Sequence, residues 1–284
     1  MSKQLTITGI LDRKAEGPAI TMVTAYDAME ARLLSRTGID IALVGDSLGN
    51  IVQGHDSTLP VTTEEMLYHT RCVRRGLSGP FLVTDMPFLS YNTSRKDAIT
   101  NAGKMIKEGG ANAVKLEGGA EIASLVKAMT RAMIPVMGHV GLRPQAINMT
   151  GGYKVQGKDL RGARQVIEDA VAIEQAGAFA LVLEGIPPDV AREVTARVGI
   201  PTIGIGAGIH VDGQVLVFHD LVGWSDRDLP RFVRPFGSVG EEAQKALFAF
   251  SKSVRNHSFP SGEESYPETG IPPEEISPRK PDKQ

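Results

Sequence analysis

Four short apolar runs in this chain each end on an acid. They are Ala42-Leu43-Val44-Gly45-Asp46, Phe81-Leu82-Val83-Thr84-Asp85, Val114-Lys115-Leu116-Glu117 and Leu181-Val182-Leu183-Glu184. A run of this length, closed by glycine or polar residues, fits a buried parallel strand that runs into a loop. Each acid therefore falls where a strand meets solvent. Folding alone does not ask for four carboxylates at four such positions.

The rest of the chain repeats the same unit. Strand-like segments are expected over Ala19–Asp27, Ile39–Asp46, Phe81–Met86, Ala113–Glu117, Pro135–Gly141, Ala178–Gly185, Pro201–Gly208 and Gly213–His219. Helical segments separate most of them: Ala28–Thr37, Thr62 to Arg75, Ser94–Glu108, Ala120–Arg131, Gly162–Ala176 and Pro188–Val198. Alternation of this kind implies a parallel α/β sheet. Eight units in about 225 residues match a closed (β/α)8 TIM barrel better than an open doubly wound sheet. An open sheet stays an alternative, although no GxGxxG follows the first strand. Gly204-Ile205-Gly206-Ala207-Gly208 follows the seventh strand, where barrels often hold phosphate, but one such motif is weak. Leu48–Pro60 and Leu142–Asp159 have no periodicity and read as long loops, the first a cover over a strand end.

Residues 1–17 read as a capping segment with a short helix, residues 1–257 as one barrel domain closed by a helix over Glu241–Val254, and residues 258–284 as a Pro- and Glu-rich, mostly disordered tail. The 284 residues carry a net charge of −2, which favours neither nucleic acid nor an anionic membrane. No apolar stretch approaches the ~20 residues of a membrane span, and Met1–Gly17 shows no secretory signal. The single cysteine, Cys72, excludes an internal disulfide and is expected in the core. A cytoplasmic protein is the default expectation.

In a barrel, Asp46, Asp85, Glu117 and Glu184 converge on the C-terminal mouth, where active sites form. Clustered carboxylates repel unless a cation compensates them or their pKa values rise. Lys115 shares a strand side with Glu117, and His139 comes from the next strand. Each acid taken alone could be a helix cap or a solvated charge. Together, with oxygen donors and no thiolate, they suit a hard ion, Mg2+ first. Asp27 ends a strand with nothing else to mark it, and His55, His69, His210, His219 and His257 lack paired ligand spacing. Ser47 has no G-x-S-x-G elbow, so a hydrolase nucleophile is not indicated. These residues point to a metal-dependent barrel acting on a small anionic 2-oxo acid, where a Lewis acid stabilises an enolate and a carboxylate removes the α-proton. Aldol-like addition, retro-aldol cleavage and phosphonate rearrangement all remain open on spacing alone.

Longer motifs narrow the choice. Val44-Gly45-Asp46-Ser47-Leu48-Gly49, the stretch Gln53 to Thr62, Val114 to Gly119, Gly138-His139-Val140-Gly141-Leu142, Gly151 to Gly157, Leu183-Glu184 and Ile203 to Gly208 resemble the ketopantoate (3-methyl-2-oxobutanoate) hydroxymethyltransferase family. The motifs are collinear over roughly residues 20–225, and Phe259 to Glu264 resembles that family's usual C-terminus. The resemblance implies a barrel of the phosphoenolpyruvate/pyruvate type. It implies transfer of a hydroxymethyl group from 5,10-methylenetetrahydrofolate to 3-methyl-2-oxobutanoate, giving 2-dehydropantoate for pantothenate biosynthesis. It also implies Mg2+ and a homo-oligomer, commonly a decamer. By position, Asp46, Asp85 and Glu117 match the metal-site acids, Glu117 expected to act through water. Asp46, Ser47, Asp85, Lys115 and His139 match the substrate-contacting set, and Glu184 the base. Arg143 departs from the family's small polar residue. The alternative is a Mg2+-dependent 2-oxoacid lyase or phosphonomutase of the same superfamily. Those enzymes often use a loop cysteine, whereas Cys72 falls in an expected helix. A third possibility, a non-catalytic oxoacid-binding scaffold, fits poorly with Asp46, Asp85, Lys115 and Glu184 together.

Overall fold

Period-two alternation along each strand decides which side chains fill a barrel and which meet the surrounding helices. The computed structural model describes residues 5–276. The strands β1 Ile20–Thr24, β2 Ile41–Val44, β3 Phe81–Asp85, β4 Ala113–Glu117, β5 Val136–Gly141, β6 Ala180–Glu184, β7 Thr202–Ile205 and β8 Gly213–Leu216 pair in parallel in chain order. β8 returns to β1, with Ile20 opposite Gly213 and Val23 opposite Leu216, and so closes the barrel.

The inner layers follow from register. Met22 lies opposite Ile41, Val83 opposite Ala113, and Val182 opposite Ile203. These residues join Ile20, Leu43, Phe81, Met137, Phe179, Ala180 and Val215 in one buried apolar cluster. The N-terminal helix Ile7–Glu16 adds Ile10, fully buried, to this cluster, with Leu5 and Ile7 packed against it. The barrel floor is therefore plugged by the chain's own first helix.

The alternate strand residues, among them Val23, Ala42, Val44, Leu82, Val114, Leu116, Val140, Leu181 and Leu183, face the helical layer. Each helix answers with an apolar stripe at three- and four-residue spacing. Met66, Thr70 and Val73 form it on Thr63–Gly76, Ala98, Ala102 and Met105 on Arg95–Lys107, and Val166, Ala170 and Ile173 on Leu160–Gln175. Burying one large aliphatic side chain contributes about 1.5–3 kcal/mol, so this layer carries much of the fold's stability.

Several strands stop earlier than alternation suggests, each for a local reason. β1 ends at Thr24 because Asp27 leaves the sheet to cap helix Ala28–Arg36, accepting from the amides of Met29 and Glu30 at 2.7 and 2.9 Å. β2 ends at Val44, where Gly45–Asp46 turns toward the short helix Leu48–Ile51, so the loop expected over Leu48–Pro60 opens with a helical turn. β7 ends at Ile205 because Gly206 takes a left-handed φ of 63°. β8 ends at Leu216 and is followed by helix Phe218–Val222, not by a strand reaching His219. The loop expected over Leu142–Asp159 contains the helical turns Pro144–Ala146 and Ile147–Thr150. Asp159 then caps helix Leu160–Gln175 through the Gly162 amide, two residues before the expected start. Cys72 lies on helix Thr63–Gly76, part-buried and free.

The chain divides into two compact units, 1–237 and 238–284. The second unit holds helix Val239–Arg255, a contact between the rings of Phe250 and Phe259, and the short helix Pro273–Ile276. Of the tail expected to be mostly disordered, residues 277–284 lie outside the described residues, as do residues 1–4 of the capping segment. Among the described residues no helix is long and apolar enough to cross a membrane.

Candidate active site

Register carries the acids to one place. Asp85 pairs with Lys115, Glu117 with His139, and Gly141 with Glu184 along β3 to β6. All are at or near the C-terminal ends of their strands and on the inward side. Asp46 lies just past β2 and is drawn in by its own amide, which donates to Asp85 Oδ2 at 3.1 Å. Asp46, Ser47, Asp85, Lys115, Glu117, His139 and Glu184 all line one cavity of about 1200 Å3 at the barrel mouth. Asn50, Gly54, His55, Asp56 and Thr58, from the loop after β2, form part of its wall.

Inside it a chain of contacts runs across three strands. Lys115 Nζ lies 3.0 Å from Asp85 Oδ1 and 3.2 Å from His139 Nδ1. An ammonium has only hydrogens to offer, so His139 Nδ1 accepts and the ring proton is assigned to Nε2. That nitrogen faces Glu184 Oε2 at 3.4 Å. Burial, then Lys115, holds His139 well below the ordinary imidazole range, so it stays neutral. Burial works against the charge of Lys115, but Asp85, Glu117 and Asp46 together hold it above its ordinary value.

The acids respond to burial and to one another. Asp46 is pushed up to about 7, first by burial and then by Asp85, with Lys115 and Gln145 pulling the other way. Burial raises Asp85 against Lys115, and burial with Asp46 raises Glu117 well above its ordinary value. Glu184 reaches about 8, mainly through burial, while its side chain remains 18% exposed to the cavity. One ammonium stands among four acids, so near neutral pH some carboxyls keep their protons unless another cation enters.

The cluster fits such a cation. Asp46 and Asp85 present hard oxygen donors side by side. Asp85 Oδ1 faces Lys115 at ion-pair distance yet has no aligned hydrogen bond. Among the described residues no group of three or more His, Cys, Asp or Glu is arranged to hold a metal. A two-carboxylate site completed by water and substrate suits Mg2+, which keeps several waters and seldom takes an all-protein cage.

Three supporting residues escape a reading by motif. Gln145 reaches in from the loop after β5. Its Nε2 donates to Asp46 Oδ2 at 2.8 Å and to the Met86 carbonyl at 2.9 Å, and its backbone N–H donates to Glu117 Oε2 at 3.0 Å. The buried Tyr91 hydroxyl lies 2.8 Å from Gln145 Oε1 and 3.0 Å from the Glu117 carbonyl. Tyr26, fully enclosed and held above its ordinary pKa by burial, shares a 3.0 Å hydrogen bond with Ser47 Oγ. His69 Nδ1 meets the Tyr26 carbonyl at 2.7 Å, and the His219 ring packs 5.8 Å from that of Tyr26. The signal that could have found this corner is Gly45, at the inward position of an apolar strand. A Cβ there would stand 2.7 Å from Ser47 Oγ.

Other singled-out residues lie elsewhere. Arg143 pairs with Glu121 on the surface and does not line the cavity. His210 meets Arg192. Gly206 lines the cavity, but the Phe232 ring lies over it, 2.7 Å from where a Cβ would be.

A family model described as ketopantoate hydroxymethyltransferase matches residues 4–262. A 3-methyl-2-oxobutanoate hydroxymethyltransferase of Syntrophotalea carbinolica is 50% identical over 94% of this chain and 100% of its own length. One from Anaeromyxobacter dehalogenans is 51% identical over 95% of this chain and 89% of its own. Among solved structures, phosphonopyruvate hydrolase in complex with oxalate and Mg++ has a TM-score of 0.60 at 14% identity, covering 93% of each chain. A 2,3-dimethylmalate lyase of the PEP mutase/isocitrate lyase superfamily also scores 0.60 at 14% identity, over 93% of this chain and 90% of its own. These two likenesses establish the barrel type and nothing about the reaction.

Proposed function

The chain belongs to the ketopantoate hydroxymethyltransferase family, and we propose that it transfers a hydroxymethyl group from 5,10-methylenetetrahydrofolate to 3-methyl-2-oxobutanoate, yielding 2-dehydropantoate. The observation that carries this reading is identity at 50% of positions with a hydroxymethyltransferase over 94% of this chain. Lyase and mutase chemistry rests on structures sharing only 14–17% of residues, so it has no comparable support.

Asp46 and Asp85 would hold a hard divalent cation, Mg2+ by preference, and that ion would supply Lewis-acid polarisation of the 2-oxo acid. Lys115 supplies the remaining positive charge at the floor of the site and binds the acid's carboxylate region. Ser47, steadied by Tyr26, offers a hydroxyl to the same carboxylate. Glu184, at about 8, is the general base that takes the C3 proton of the substrate. A carboxyl with an ordinary pKa would be too weak a base for this step, and burial corrects that. Neutral His139 presents an Nε2–H that has no hydrogen-bond partner and lies 3.4 Å from Glu184 Oε2, beside the space for the substrate. The carbanion at C3 then attacks the methylene carbon of the donor's iminium, whose C=N electron pair moves onto nitrogen as the new carbon–carbon bond forms; a water then replaces that nitrogen on the carbon, giving the hydroxymethyl group and releasing tetrahydrofolate. Glu117, tied to the Gln145 amide, acts at one remove through water. The same proposal places the protein in the cytoplasm as a homo-oligomer, decameric by family resemblance, with residues 258–284 outside the chemistry.

The test mixes the protein with 3-methyl-2-oxobutanoate, Mg2+ and methylenetetrahydrofolate and looks for 2-dehydropantoate. Absence of product with every divalent ion tried refutes the reading. Exchange of the C3 proton in deuterated water, without folate, isolates the base step. Glu184→Gln should abolish it, and persistent exchange would remove Glu184 from that role.

A further inference from the structure

The cavity is larger than its catalytic floor needs. A five-carbon oxo acid occupies a fraction of about 1200 Å3, and even drug-sized ligands commonly fill about 300–1,000 Å3. The outer part differs in character from the acidic floor. Tyr153, from the loop after β5, and Phe232, from the segment following β8, line it and are 52% and 42% exposed. Gly206 lets the Phe232 ring lie flat on the backbone at the cavity edge. Large aromatic surfaces left open inside a cavity favour a planar ring partner.

Arg227 and Arg231 line the same outer part. Arg227 is held by the buried Asp220, whose Oδ2 accepts from its Nη2 at 2.8 Å. That contact fixes the guanidinium and leaves its other donors for an anion. Asp226, Asp220 and Asp56 also line the cavity, and Asp220 is already paired with Arg227. Tyr153 lines the same cavity as Asp46 and Glu184 on the floor and Arg227 on the wall.

We propose that this outer wall is the subsite for the one-carbon donor, with Tyr153 and Phe232 against its ring systems and Arg227 and Arg231 against its glutamate carboxylates. The proposal rests on the hydroxymethyl-transfer reading. A donor so placed has its planar head toward Glu184 and its anionic end at the rim. The acidic floor repels that end, so polarity alone sets the orientation.

The experiment compares wild type, Phe232→Ala and Arg231→Ser, each with Mg2+. Steady-state kinetics give separate KM values for methylenetetrahydrofolate and for 3-methyl-2-oxobutanoate, and calorimetry gives the Kd for tetrahydrofolate. Each variant should raise the donor's KM and the tetrahydrofolate Kd about tenfold, the scale of one lost stacking or charge-assisted contact. The oxo acid's KM should change less than about twofold, because the inner contacts are untouched. Raised salt should weaken the wild type's tetrahydrofolate binding, and Arg231→Ser should reduce that dependence. Unchanged donor constants in both variants overturn the proposal. Equal losses for donor and acid also overturn it, since they mean collapse of one common site. A wild type that exchanges the C3 proton but neither binds tetrahydrofolate nor forms product overturns the transferase reading, and this subsite with it.

Discussion

Replacing Gln145 with leucine should weaken the metal-side acids without touching a charge. The side chains are similar in size, so the loss is polar. Gln145→Leu removes the donor to Asp46 Oδ2 at 2.8 Å and the donor to the Met86 carbonyl at 2.9 Å. The Gln145 backbone N–H still reaches Glu117, and Tyr91 keeps the Glu117 carbonyl at 3.0 Å. A stranded buried carbonyl costs about 1–3 kcal/mol, and a hydrogen bond to a charged group contributes about 1.5–3 kcal/mol. Asp46, already at about 7, can escape part of its penalty by taking a proton. The expected loss is therefore about 3 kcal/mol, toward the lower part of the summed range. Urea denaturation at pH 7.5 in EDTA measures it. Mn2+ titration gives a second readout: the variant should bind the ion more weakly at pH 6.5 and approach wild type at pH 8.5, because a cation must displace the proton on Asp46. A stability change below about 0.5 kcal/mol, with Mn2+ affinity unaltered, would refute the role given to Gln145.

Other perturbations test other parts. Lys115→Met strands Asp85 among buried acids and should cost about 3–5 kcal/mol at high pH. The folded-state pKa values of these acids are raised, so the folded protein holds protons that the unfolded chain releases. Stability is then lost as pH climbs through the folded values, and the deficit measured in EDTA should grow from pH 5.5 to pH 8.5. A deficit equal at both pH values contradicts the charge assignment. Exchange of the C3 proton should rise about tenfold per pH unit below about 8 and level off above it, since Glu184 acts only when deprotonated. A profile already flat at pH 6 would rule out that pKa for the working base. Gly45→Ala puts a carbon 2.7 Å from Ser47 Oγ, so it should raise the oxo acid's KM at least severalfold, read by steady-state kinetics. Arg143→Ser removes an exposed pair with Glu121 and should leave both KM values and stability within error, about 0.5 kcal/mol.

Most of the fold was legible because strand and helix differ in hydrophobic period, and β4 matches its expected span to the residue. Strand ends were less legible. Asp27 looked like the end of a strand because apolar residues precede it, and only its two amide contacts show that it caps a helix. His219 looked extended for the same reason, although Phe218–Val222 turns helical. In the site, the charged members stood out because four carboxylates recur at the ends of four apolar runs, more than helix capping alone calls for. Gln145 did not, because an uncharged polar residue in a loop is what any loop contains. Its importance comes from reaching Asp46, 99 residues away in sequence, and only the closed barrel creates that contact. Tyr26 was hidden likewise, since an aromatic at a strand end reads as core until its hydroxyl is seen against Ser47.

The helix Ile7–Glu16 covers one end of the barrel. Ile10 is buried among the first inward residues of the strands, so among the described residues the floor is closed by packed apolar side chains. On the proposed reading, acid, donor and water enter by the mouth that Tyr153 and Phe232 border. On the proposed assignment the oxo acid lies below the donor and enters first, the donor closes the mouth over it, and tetrahydrofolate leaves before 2-dehydropantoate. A floor covered by the first helix would thereby set the order of a two-substrate reaction.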